Sequence, residues 1–155
     1  MLDLALRARV DLLRQIPVFA GLSEAALSVL AEAVDEVEYQ AGEIVVREGE
    51  PGNRMFIILS GSVEVVKNLG QPRETALDVM RSRNFLGEMS IVDSVVRSAS
   101  VRALENSRLF SLRGIDLYRL FKRFPEQYAI VILNIARDLA RRLRTLDEKF
   151  SAISH

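Results

Sequence analysis

The residues best suited to chemistry in this sequence lie close together, between Phe85 and Val101. Gly87 and Glu88 open a short apolar segment, and Arg97 follows ten positions after the glycine. A glycine lets the backbone approach a bulky anion with no Cβ in the way. At the start of a short helix, the N–H groups of Met89, Ser90 and Ile91 would be unpaired donors and a ready anion site. Arg97 can grip phosphate oxygens with its planar fork. Glu88 is acceptor-only when ionised, so it suits a sugar hydroxyl better than a phosphate. Together these groups fit a small phosphorylated ligand.

Composition removes most other chemistries. The chain has 155 residues, enough for one domain with a proper core. Acidic and basic residues balance at 21 each, which argues against a whole-surface nucleic-acid or membrane binder. With no cysteine there are no disulfides, thiol nucleophiles or thiolate metal sites, and a reducing cytoplasm is the expected setting. The only histidine is His155, so neither a histidine metal cluster nor a Ser-His-Asp triad is available. No apolar run approaches the ~20 residues that span a bilayer. Met1 to Val10 mixes acid and arginine into its apolar pattern, unlike a secretion signal. The expectation is a protein that is not an enzyme and holds no metal.

The elements that must position Phe85–Val101 follow from periodicity and breakers. Residues 1–34 read as two N-terminal helices, the first over 2–14 and stopped by Pro17, the second capped by Ser23. Ala26, Leu27, Leu30, Ala31 and Val34 form the buried face of the second. Residues 35–112 alternate in short runs between turns: Val37–Gln40, Glu43–Arg47, Met55–Leu59, Ser62–Lys67, Thr75–Met80, Ser98–Ala103 and Arg108–Leu112. The runs flanking Ser60-Gly61 read as a hairpin. Many short, evenly punctuated strands predict a mainly β protein with a jelly-roll (double-stranded β-helix) barrel. Residues 114–155 are helical, with a break at Pro125 before a long final helix. Along it Ala129, Ile132, Ala136, Leu139, Leu143, Leu146, Phe150 and Ile153 recur in steps of three and four. That heptad seam predicts a homodimer through the terminal helix; the alternative is a wider stripe packed on the chain's own barrel. No repeat or linker divides residues 1–155, so a single domain is expected.

Four segments, in order, resemble the cyclic-nucleotide-binding domain shared by catabolite activator-type regulators, cyclic-nucleotide-dependent kinases and gated channels. They are Ile16–Ser23, Glu48–Phe56, the glycine turn Leu59–Val63, and Phe85–Val101, which resembles the phosphate-binding cassette with its Gly–Glu to Arg spacing intact. The resemblance implies that cAMP or cGMP is the ligand. By matching position, Gly87 and the Met89 and Ser90 amides would meet the cyclic phosphate, and Glu88 the ribose 2′-hydroxyl. Arg97 would neutralise the phosphate, Ser98 would add a hydroxyl, and Ala99 fills a position that must be small. The sequence departs from the family at three places: Val96 replaces a proline, Ser90 an alanine, and Arg83 a turn glycine, which calls for another turn or for strain.

The segment Leu139–Lys149 resembles the dimer helix of the bacterial regulators. The base-side positions there are Leu146 and Asp147, neither of which is the hydroxyl residue that the family places against adenine. Leu146 also belongs to the seam, and Asp147 suits a solvated face. The regulators continue into a helix-turn-helix, and nothing in this chain supplies a recognition helix, so a stand-alone sensor without direct DNA binding is expected. Arg137, Arg141, Arg142 and Arg144 alternate with Asp138, Asp147 and Glu148 and read as a solvated face. The rival readings are a nucleotide-unresponsive interaction module on the same fold, and a metal-binding barrel enzyme. The second lacks ligands, since Glu48 and Glu50 sit in a turn where acids are normally solvated.

Overall fold

A computed structural model describes residues 4–86 and 96–154. Helix α1 (Leu4–Arg14) is followed by a 3-10 turn at Pro17–Phe19 and helix α2 (Glu24–Ala33). Ser23 caps α2, its Oγ accepting the Ala26 N–H at 3.2 Å. Its predicted face, Ala26, Leu27, Leu30, Ala31 and Val34, is buried.

Among the described residues eight antiparallel strands follow: β1 (Asp35–Tyr39), β2 (Ile44–Val46), β3 (Arg54–Ser60), β4 (Ser62–Lys67), β5 (Thr75–Arg81), β6 (Phe85–Leu86), β7 (Ser100–Ala103) and β8 (Ser107–Arg113). They form two four-stranded sheets, β1-β8-β3-β6 and β2-β7-β4-β5, and the architecture is a jelly-roll barrel with flanking helices. The first sheet is covered on both faces. Met55 and Ile57 of β3 and Phe110 and Leu112 of β8 pack against the helices. Phe56, Ile58 and Leu109 point between the sheets, onto Val63, Met80, Leu86 and Val101. Double coverage explains why β3 reads as a continuous apolar run.

The hairpin expected at Ser60-Gly61 does not form. β3 pairs with β8 and β6, and β4 with β5 and β7, so the chain changes sheets at this point. Gly61 turns it, at φ +89°, and sits against the Asn106–Ser107 backbone. Ser62 N–H donates to Ser107 Oγ at 3.2 Å, which joins the corner to the start of β8.

The first turn of helix α3 (Gly114–Arg123) holds Asp116, almost fully buried, whose carboxylate accepts the Arg113 N–H at 3.0 Å. Pro125 stands at the first position of α4 (Pro125–Ser154), where its missing N–H is harmless. The helix is anchored at its N-terminal half. Val131 and Ile135 enter the core, and Asn134 Nδ2 donates to the Val18 and Ala20 carbonyls, both at 3.0 Å. The later heptad residues lie further along the helix. Leu139, Leu143, Leu146, Phe150 and Ile153 are exposed, rising from 36% at Leu139 to 83% at Ile153. From Leu139 onward the seam therefore does not pack on the chain's own barrel; Val131 and Ile135, in the N-terminal half, perform that role.

Candidate functional site

Arg97 is the best-placed of the candidate side chains. It stands just before β7, between that strand and the loop that follows β2. Its N–H donates to the Glu50 carbonyl at 2.8 Å, and its carbonyl accepts the Gly49 N–H at 2.9 Å. The side chain is 8% exposed and Nη2 donates to the Arg54 carbonyl at 2.7 Å. A guanidinium so withdrawn from water attracts an anion far more strongly than one on the surface. It lines a cleft of about 260 Å³ with Tyr39, Val46, Arg47, Arg54 and Phe56. Arg54 is oriented by Ser111 Oγ at 2.9 Å and by Asp35 at 3.6 Å. Burial, reinforced by the charge of Glu43, pushes the Tyr39 hydroxyl pKa up.

Next to Arg97, Ser98 is exposed and Ala99 half-buried. The Ser98 carbonyl accepts Lys67 Nζ at 2.8 Å. Gly87, Glu88, Met89 and Ser90 lie outside the described residues. Val96, in the family's proline position, is 55% exposed and bridges to Pro51. Arg83 adopts φ +74°, so its turn keeps the left-handed form that a glycine would favour.

Two acidic or basic residues read as solvated are engaged. Glu48 accepts the Asn68 N–H at 3.0 Å and pairs with Lys67 at 3.2 Å. These contacts, the Asn68 hydrogen bond first, hold its carboxyl pKa down. Arg142 is also not part of a solvated face. Its Nη2 donates to the Phe85 carbonyl at 3.1 Å, its guanidinium lies 5.2 Å from the Phe85 ring centre, and Nε pairs with Asp138 at 2.7 Å. The terminal helix is thereby attached to β6 immediately before Gly87. The Asp138–Arg142 spacing of four was the sequence signal for an ordered arginine. A groove of about 460 Å³ beside it is lined by Pro17, Val18, Phe85, Asn134, Arg137 and Arg141, among others. Leu146 is 62% exposed and Asp147 is exposed, and among the described residues neither lines the cleft beside Arg97.

Among the described residues no group of three or more His, Cys, Asp or Glu side chains could hold a metal ion. No described helix is long and apolar enough to cross a membrane. What the geometry offers is a sheltered guanidinium hydrogen-bonded to the loop after β2 and, separately, a terminal helix joined to β6 through Arg142.

Comparison with known proteins identifies the class. The model of the cyclic nucleotide-binding domain matches residues 36–124, more than half of the chain and inclusive of Arg97. The CRP-like cAMP-activated global transcriptional regulator of Mycobacterium tuberculosis is 31% identical over 134 residues, 86% of this chain and 58% of that protein. The crystal structure of the Thermus thermophilus catabolite activator protein is 31% identical at a TM-score of 0.73, covering 89% of this chain and 63% of that one. A cyclic nucleotide-binding domain from Methylobacillus flagellatus shares the fold at a TM-score of 0.80 and 23% identity, covering 93% and 81%. The chain thus spans about three-fifths of the length of the curated regulator it matches. It belongs to the cyclic nucleotide-binding domain family, which is regulatory rather than catalytic.

Proposed function

We propose that residues 1–155 act as one cytoplasmic sensor of cAMP or cGMP, which couples ligand binding to movement of α4 and so to self-association or partner association. The observation that carries this reading is Arg97, sheltered at 8% exposure beside a polar cleft within the span of the family match. In the proposed complex Gly87 and the Met89 and Ser90 amides receive the cyclic phosphate with Arg97 and Ser98. Glu88 takes the ribose hydroxyl, and Ala99 leaves room for the ligand. Leu146 and Asp147 come to the base side only through a displacement of α4. The exposed seam from Leu139 to Ile153 supports a homodimer.

Coupling needs a difference in affinity between two helix arrangements. Arg142 supplies a physical link, because it joins α4 to the Phe85 carbonyl on the strand that leads to Gly87. The test is calorimetric titration with cAMP and with cGMP. A Kd of about 1 μM or tighter, roughly −8 kcal/mol, is expected for one of them. Arg97→Ala should abolish most of it and Glu88→Ala weaken it. Absence of both heat and a melting shift with either nucleotide refutes the reading.

A second reading, a nucleotide-unresponsive interaction module on the same fold, is favoured by one observation: Arg97 Nη2 already has an internal acceptor in the Arg54 carbonyl. It predicts equal sedimentation with and without nucleotide, and a dimer indifferent to Arg97→Ala.

A further inference from the structure

Opposite charges from β4 and from the loop after β2 meet around the segment that carries Arg97. In its sheet β7 lies between β2 and β4, so Arg97–Ala99, which lead into β7, run between the continuations of those two strands. On the β2 side the contacts are backbone hydrogen bonds from Gly49 and to Glu50, together with Glu48 N–H donating to Ser100 Oγ at 2.9 Å. On the β4 side the contact is Lys67 Nζ on the Ser98 carbonyl at 2.8 Å. Lys67 and Glu48 then meet at 3.2 Å, closing a bracket that joins both neighbours of the segment. The other carboxylate oxygen of Glu48 accepts the Asn68 N–H at 3.0 Å, which steadies a residue held at φ +58° just after Lys67.

The pair is half-exposed, at 45% for the Lys67 side chain and 30% for Glu48, so its contribution to global stability is small. Its leverage is positional. A guanidinium and a hydroxyl that must meet the same phosphate tolerate misplacement of only ~0.5 Å. Ser98 has its carbonyl held by Lys67 while its hydroxyl is left to a ligand. We propose that Glu48 and Lys67 are positioning residues, which set Arg97 and Ser98 for the phosphate of the bound nucleotide. The inference rests on the cyclic-nucleotide reading for its consequence, though not for the bracket itself.

Two measurements separate the two. In the free protein, amide hydrogen exchange reports the bracket through the Arg97 and Gly49 N–H groups. Lys67→Met should accelerate both by about tenfold relative to core amides, and Lys67→Arg should restore them. Unchanged exchange in Lys67→Met overturns the bracket, whether or not any nucleotide binds. In the nucleotide-bound protein, Lys67→Met and Glu48→Gln should weaken affinity about 5- to 20-fold. They should also alter the ratio of affinities for the two phosphorothioate diastereomers of the nucleotide, which a general loss of stability would not do. Faster exchange with an unaltered diastereomer ratio overturns the positioning role. A wild-type chain that binds neither nucleotide removes the proposed function and with it the positioning role, and the exchange data then decide the bracket alone.

Discussion

Gly61→Ala should be among the most damaging single-methyl additions in this protein, and Gly42→Ala provides its control. Both glycines stand at φ +89°, so each alanine incurs the left-handed penalty of about 1–2 kcal/mol. They differ in what a Cβ would meet. At Gly42 nothing lies within 4 Å, so the penalty is conformational only. At Gly61 a Cβ would stand 2.3 Å from Ser107 Oγ, 2.6 Å from the Asn106 carbonyl oxygen and 2.8 Å from Ser107 Cα. Two of these are backbone atoms where the chain enters β8, which cannot rotate away. Overpacking of this kind costs about 1–3 kcal/mol. Displacing Ser107 also strains the Ser62–Ser107 hydrogen bonds at 3.2 Å, each worth about 1 kcal/mol. The expected totals are about 3–5 kcal/mol for Gly61→Ala and about 1–2 kcal/mol for Gly42→Ala. With a urea m-value of about 2 kcal/mol/M, the midpoints should fall by about 2 M and about 0.5–1 M. Equal midpoint shifts would refute the claim that Gly61 is required by close backbone approach and leave only its dihedral angle.

The two halves of α4 should separate in mutagenesis: Ile135→Ala, in the core, should cost about 2–4 kcal/mol in urea unfolding, whereas Leu143→Ala should barely alter the stability of a single chain yet weaken self-association in sedimentation. Arg83→Gly should raise the melting temperature by about 2–4 °C, because relief of the left-handed strain at φ +74° outweighs the added glycine entropy; an unchanged or lower value would show that the turn tolerates arginine. Asp116→Ala removes an almost fully buried carboxylate shared by Arg113 at 3.1 Å and Arg119 at 3.5 Å, and should cost about 2–4 kcal/mol by the same assay. The pKa of Glu48 is depressed in the folded state, so its stabilising effect is full above the unfolded carboxyl value of about 4.3 and is lost as pH falls through the lower folded value. Acid titration of Glu48→Gln should therefore lack that part of the wild-type slope.

Much of this protein is determined by local pattern. The cap at Ser23, the turns at Gly42 and Gly49, the break at Pro125 and the alternation of β4 act within a few residues, so they are legible in the sequence. The spacing of Gly87 and Arg97 within a cassette-like stretch is likewise local, and it pointed to the ligand class before any contact was known. The sheet partners were not legible. Ser60-Gly61 has the residues of a hairpin, and only the close approach of Asn106 and Ser107 makes it a corner between sheets. The fates of charged residues were not legible either. Glu48 is ordered by Asn68 and Lys67, and Arg142 by Phe85, the latter 57 positions away. The heptad seam announced an apolar face on α4; only the fold decided that Val131 and Ile135, in its N-terminal half, hold the helix to its own barrel while the seam from Leu139 onward stays exposed. Periodicity depends on the geometry of one element, whereas pairing and burial depend on which distant surfaces the topology brings together.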